Sequence, residues 1–284
     1  MRSAGLSAAT EQAVAETALQ RRDAHPGRSR STVRGAWPSV FGLVTFFVAW
    51  EVLVRITGTP TFVLPTPSAA FERLWTELPS YSYELLYTLA AAGAGLAIGT
   101  TVGVIGAIVM THWKILERSL FPLAVILKLV PFVAIAPLLR IWLGYELTPK
   151  IVLASLITFF PVLVNSISGL RATDPLAVEF FRSVGANRWE TLVRLRWHGA
   201  LPYLFAAIKV SVGLAMIGAI VGEFFGAEYG IGKVINITGT HLDMRGMFAA
   251  IMLLAITGVT LTILTNVAER RVLFWHESVR SSGG

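Results

Sequence analysis

Glu51, Lys128 and Lys209 are ionisable residues set in or beside long apolar runs. In hydrocarbon such a group is costly. By default it marks a solute or ion pathway, unless its long stem carries the charge out to the interface. Lys128 lies ten residues beyond Arg118, about 15 Å along a helix axis and so about half-way through a bilayer. For Lys128 the pathway and snorkelling readings stand level; Lys209, only seven residues past Pro202, reads as a snorkelling lysine. No catalytic or metal constellation accompanies these charges. The chain has no cysteine, and its five histidines (His25, His112, His198, His241, His276) are scattered, which excludes thiol, iron–sulfur and Cys/His metal chemistry. An ion-coupled carrier, the alternative transport class, wants paired intramembrane carboxylates or inverted repeats; only Glu51 lies plainly inside a run. A nucleotide site is missing too. Gly230-Ile231-Gly232-Lys233-Val234 approaches G-x-x-x-x-G-K-[ST], but Ala227 replaces the first glycine and valine follows the lysine. Any ATP hydrolysis therefore belongs to a separate subunit, and this chain carries no cofactor of its own.

The elements that position these residues follow from hydropathy. The 284 residues are 54% hydrophobic and only 14% charged, with mean hydropathy +0.65; soluble domains carry about 25% charged residues. That deficit excludes an ordinary cytosolic enzyme, a disordered chain and a nucleic-acid-binding domain, despite the net charge of +7. Runs at 85–113, 151–170 and 246–268 hold no charged residue, and apolar runs at about 38–57, 119–140 and 202–222 carry Glu51, Lys128 and Lys209 in or near them. Each is long enough to cross about 30 Å of hydrocarbon as a helix. The fold class is therefore all-α: a polytopic membrane protein with six transmembrane helices. Continuous rather than alternating apolar runs exclude a β-barrel. Sixteen Lys and Arg flank one side of these spans and six the other, which places both termini in the cytoplasm. Residues 1–35 read as a cytoplasmic tail, 36–275 as the transmembrane domain and 276–284 as a second cytoplasmic tail.

Two packing signals stand out. Ala91, Gly95, Gly99, Gly103 and Ala107 recur every four residues along the second span, a small-residue face that lets another helix approach closely. The third span contains Pro122, Pro131 and Pro137; proline removes a backbone donor and clashes with the preceding turn, so this helix is bent or broken. Lys128 and Pro131 are thus candidate pathway residues. Glu223, Gly230 and Gly232, in the connection after the fifth span, are candidates for a gate, with a plain re-entrant turn as the equal alternative.

The one sizeable cytoplasmic connection, 171–202, reads RATDPLAVEFFRSVGANRWETLVRLRWHGALP. Asp174 suits an N-cap with Pro175 in the first turn. Gly185 supplies a left-handed residue to end the helix near Val184. Asn187 and Glu190 have capping-box spacing for a second helix leading to Pro202. Phe180 and Phe181 cannot easily both be buried by so short a helix. They either dip into the membrane surface or insert into a partner, within a polar rim of Glu179, Arg182 and Arg188.

The segment EFFRSVGANRW, with Glu179 and Gly185 in the pattern E-x-x-x-x-x-G, resembles the EAA loop of ABC importer permeases of the binding-protein-dependent kind. FVLPTPS at 62–68, AIAPLLRIWLG at 134–144, FFPVLVN at 159–165, ALPYLFAAIKV at 200–210 and VGEFFGAEYGIG at 221–232 agree with it, so that the resemblance covers about residues 38–275. It is closest to the nitrate/sulfonate/taurine branch, including relatives for pyrimidine thiamine precursors and riboflavin. The resemblance implies a type I importer permease fold. It also implies that Asp174, Glu179, Phe180, Phe181, Arg182, Gly185, Ala186 and Arg188 form a coupling helix and turn seated in a cytoplasmic ATPase subunit, which binds the ATP. A second permease copy, as a homodimer, an extracytoplasmic binding protein and membrane lipid are the other implied partners, in a bacterial inner membrane. Phe180 and Phe181 stand where the family has two alanines, which implies an ATPase with a wider cleft. The solute is a small organic or anionic one; IGAIVGEFFGAEYGIG leans the reading toward a heterocyclic vitamin precursor.

Overall fold

A computed structural model describes residues 32–127 and 129–273. The predicted tails, but for a few residues at their inner margins, and Lys128 lie outside the described residues. The chain divides into two units, residues 44–276 and residues 1–43 with 277–284; of the latter only the start of the first helix is described, with Trp37 set against Phe41.

All described regular structure is helical. In chain order the helices are α1 (Thr32–Thr57), α2 (Pro67–Thr76), α3 (Leu78–His112), α4 (Lys114–Leu127), α5 (Phe132–Leu143), α6 (Thr148–Arg171), α7 (Pro175–Ser183), α8 (Arg188–Thr191), α9 (Trp197–Phe224), α10 (Ile231–Thr240) and α11 (Met244–Val272). A five-residue π-helical turn, Leu192–Arg196, joins α8 to α9 without a break. Five stretches are long and apolar enough to cross a membrane: Val40–Thr57, Leu78–His112, Thr148–Arg171, Arg188–Phe224 and Met244–Val272.

Where the sequence predicts the third span, two shorter helices stand instead. At 14 and 12 residues, α4 and α5 reach only about 21 and 18 Å, and only together do they exceed the hydrocarbon. The break falls between Leu127 and Phe132. Pro131 has no N–H to donate back into α4, and it sits just ahead of α5 with extended backbone (φ −70°, ψ 100°). Pro122 and Pro137 are accommodated inside their helices.

The core is a three-helix layer with α6 between α3 and α9. Ala91, Gly95, Gly99, Gly103 and Ala107 are all buried, and three of them sit directly on α6: a Cβ added at Gly99 would lie 2.7 Å from the Ser155 carbonyl. From the other side, a Cβ at Gly218 of α9 would lie 2.7 Å from the Ala154 Cα. In a membrane, where lipid is as apolar as leucine, such backbone approach supplies the dispersion contact that holds helices together. Leu153, Val162, Leu163 and Leu170 of α6 are fully buried as a result. By contrast α1 and α11 keep most of their apolar side chains exposed.

Lys209 does not simply snorkel. It forms an ion pair with Glu269 of α11, both residues being less than half exposed. Glu51 is engaged as well: it accepts from the Ser68 N–H (3.0 Å), the Ser68 hydroxyl (2.8 Å) and Arg55 Nε (2.8 Å). It thus ties α1 to the first turn of α2, whose N-cap is Thr66, with its hydroxyl accepting from the Ala69 N–H (3.3 Å).

Candidate functional site

The two ends of the helical layer carry different arrangements. One end gathers the α3–α4 corner and the connection 171–202. There Asp174 Oδ1 accepts from the Leu176 N–H (2.9 Å) and opens α7. The helix closes with the Ala186 N–H on the Phe181 carbonyl (2.9 Å) and the Gly185 N–H on the Arg182 carbonyl (3.0 Å), the paired bonds of a Schellman stop. Gly185 has φ +80°, a region in which a side chain is strained. The Asn187 side chain then accepts from the Glu190 N–H (2.8 Å) while the Glu190 carboxylate accepts from the Asn187 N–H (2.9 Å). The predicted capping box is therefore formed, and α8 starts a helix that runs unbroken to Phe224.

Bounded this firmly, α7 buries none of its side chains fully. Its two phenylalanines are not equivalent, as the sequence reading had treated them. Phe180 is 64% exposed, whereas Phe181 is half-buried and meets the Phe180 ring edge-on. The reason is register. Leu176, Phe180 and Val184 recur every four residues and form one exposed apolar stripe, with Trp189 beyond it. Leu176 and Val184 are missing from the sequence-derived set, although their spacing from Phe180 was readable. Glu179 and Arg182 are exposed as well, and neither Asp174, Glu179, Arg182 nor Arg188 has an ion-pair partner among the described residues.

The other end holds Glu223, Gly230 and Gly232, and the structure brings all three together. Glu223 is not in a loop. It lies in the last turn of α9 and is completely buried. Its carboxylate accepts from the Thr88 hydroxyl (2.9 and 3.0 Å) and the Gly232 N–H (2.7 Å). Thr88 Oγ1 in turn accepts from the Ile231 N–H (2.9 Å), and Glu84 accepts from the Gly230 N–H (2.6 Å) and from Lys233 Nζ (2.7 Å). Two carboxylates and one hydroxyl thus take up the first free N–H groups of α10, where the helix dipole favours negative charge. Gly230 has φ +128°, and a Cβ there would collide with the Glu223 carboxylate.

The connection from Phe225 to Gly230 is held down by these bonds and two more. Lys150, only 2% exposed, donates to the Tyr229 carbonyl (2.5 Å), and Asn236 donates to the Phe224 carbonyl (2.6 Å). The Tyr229 ring stacks on Tyr87 at 4.6 Å; the adjacent Glu228 carboxylate pushes its phenol above the ordinary range. Thr88, Glu84 and Lys150 have no local sequence signal, since each is separated from its partner by more than 70 residues. Pro131 is exposed at the break between α4 and α5. The described residues offer no group of three or more His, Cys, Asp or Glu that could hold a metal ion.

Comparison with known proteins agrees with this architecture. Residues 95–274 match the family described as binding-protein-dependent transport system inner membrane component. The chain is 35% identical to the riboflavin transport system permease protein RibX of Chloroflexus aurantiacus, over 88% of this chain and 96% of that protein. It is 32% identical to the formylaminopyrimidine transport permease protein ThiX of Halalkalibacterium halodurans (84% and 96%), and 28% identical to the putative aliphatic sulfonates transport permease protein SsuC of Bacillus subtilis (89% and 91%). In fold it resembles a chain of the MetNI methionine ABC transporter in an inward-facing conformation, with TM-score 0.55 and 20% identity over 73% of this chain and 96% of that one.

Proposed function

The chain belongs to the family of binding-protein-dependent transport system inner membrane components, a permease of an ABC importer, and from that premise we propose how its two ends divide the work. The end holding α7 faces the cytoplasm, and α7 is the coupling helix that seats in an ATPase subunit. The observation that carries this is the exposed stripe Leu176–Phe180–Val184 on a helix capped at both ends and buried nowhere. A short helix so firmly stopped, with its apolar face in solvent, is built for a pocket in another protein.

The end holding Glu223 faces outward and stays closed as one piece, because α10 is tied to α3 and α9 through buried carboxylate bonds. A solute cannot pass through the middle of the chain: α6 meets α3 and α9 at backbone distance, with no room between them. The pathway therefore runs along the outside of this layer and is completed by a second permease copy, with solute delivered by an extracytoplasmic binding protein. The solute we favour is a small heterocyclic vitamin or vitamin precursor, supported by the higher identities to the riboflavin and formylaminopyrimidine permeases than to the sulfonate one.

The test is reconstitution with the neighbouring ATPase and binding protein. ATP-dependent uptake of labelled riboflavin or formylaminopyrimidine, with taurine and an alkanesulfonate as competitors, reads the solute. Uptake blocked by the sulfonates and not by the heterocycles would reverse the assignment. Capture of the ATPase on tagged permease, lost with Leu176→Ala/Phe180→Ala, reads the coupling helix.

A further inference from the structure

Behind the coupling helix lies a cleft of about 870 Å³, which shares Arg182, Ala186 and Arg188 with the coupling segment. It is bounded by the α3–α4 corner on one side and by α7, α8 and the π-helical turn on the other. On α7 it is lined by Val178 and Arg182. These positions are two residues on from Leu176 and Phe180, so they stand about 200° round the helix from the exposed stripe. One face of α7 is therefore free for the ATPase while the opposite face closes the cleft.

The lining chemistry is one-sided. Lys114, Arg182, Arg188 and Arg196 converge on the space, together with His112, and no Asp or Glu lines it. None of the four cations has an ion pair among the described residues; the nearby acid Glu117 is engaged by Arg171. The Thr111 hydroxyl, which also borders the cleft, is buried without a hydrogen-bond partner. Four unpaired positive charges in one concavity repel each other and attract an anion. The forked guanidinium groups fit phosphate oxygens in particular. At the cleft's outer rim Trp113 and Ile115 are 54% and 80% exposed, an apolar, interfacial flank suited to acyl chains and not to a freely soluble ion.

We propose that this cleft is a binding site for the phosphate headgroup of an anionic phospholipid from the cytoplasmic leaflet. Held there, the lipid neutralises the charges behind α7 and fixes the angle at which the coupling helix presents its stripe. Basic pockets between helix ends on the cytoplasmic side are suited to such headgroups. The site rests on the orientation proposed above, and the test reads lipid directly on the permease, so that a failure of ATPase docking and a failure of lipid binding show separately.

The experiment is native mass spectrometry of the full-chain permease released from phosphatidylcholine nanodiscs doped with phosphatidylglycerol, beside the Lys114→Gln/Arg196→Gln variant. The expected result is a retained phosphatidylglycerol whose affinity falls roughly fivefold per cation removed, about 25-fold for the pair. Lys114→Arg/Arg196→Lys, which keeps the charge, restores retention and controls for folding. Equal retention by wild type and the glutamine variant overturns the proposal. So does displacement of the lipid by millimolar glycerol phosphate or inorganic phosphate, which would assign the cleft to a soluble anion. Loss of ATPase capture by the glutamine variant with lipid retention unchanged would instead make the cleft part of the docking surface for an acidic segment of the ATPase.

Discussion

At the scale of single residues the two phenylalanines of α7 separate cleanly. On the docking proposed above, Phe180→Ala removes an anchor whose burial is worth about 1.5–3 kcal/mol; the affinity for the ATPase is expected to fall about 10- to 100-fold in a titration by surface plasmon resonance. Phe181→Ala, at a half-buried position, changes that affinity by less than half as much in free energy. An equal loss at both positions would show that the helix rotates on docking. At the opposite end Thr88 both donates to Glu223 and accepts from Ile231. Thr88→Val keeps the shape and strands both groups, at about 1–3 kcal/mol. The expected outcome is a lower unfolding temperature in detergent, restored by Thr88→Ser, with ATPase capture intact.

Among the elements, the α3–α6 seam and the α4–α5 break make opposite demands on the chain. Gly99→Leu forces a side chain against Ser155 and Thr158. Overpacking of this kind costs about 1–3 kcal/mol, and the protein is expected to lose thermal stability in proportion. Pro131→Ala supplies the missing N–H, so that residues 114–143 tend toward one helix. Amide exchange at Leu129 and Val130 is expected to slow, and uptake to fall while membrane insertion is kept. The seam was legible in the sequence, because small residues at spacing four have one physical use in lipid. Both bounds of α7 and the start of α8 were legible too, since Asp174, Gly185, Asn187 and Glu190 act within a few residues of themselves. Glu223 was not. Its burial depends on Thr88, 135 residues away, and on α10 folding back, and a hydropathy profile sees only a carboxylate past the end of an apolar run. The same limit applies to Lys209, whose partner Glu269 sits on another helix, and to Glu51, whose partner Ser68 lies 17 residues on.

For the molecule as a whole, orientation is the first quantity to check. The chain has no native cysteine, so Thr240→Cys is expected to react with an impermeant maleimide in intact cells and Ser183→Cys only after permeabilisation; the reverse pattern would turn the protein over and detach α7 from any cytoplasmic ATPase. The continuous helical stretch Arg188–Phe224 carries a mechanical consequence. It joins the coupling turn at one end to the Glu223 cluster at the other over 37 residues, about 55 Å. Its weak section is near one end, where the π-helical turn Leu192–Arg196 is followed by Pro202. Pivoting at Pro202, it is an unequal lever: the arm beyond Pro202 is about 33 Å long and the arm toward Asn187 about 22 Å. A displacement applied at the coupling turn is enlarged about 1.5-fold at the Glu223 end, and the force delivered there is reduced by the same factor. Paired spin labels at Glu190 and Phe224, each measured against a fixed label on α6, would read that ratio as a gear.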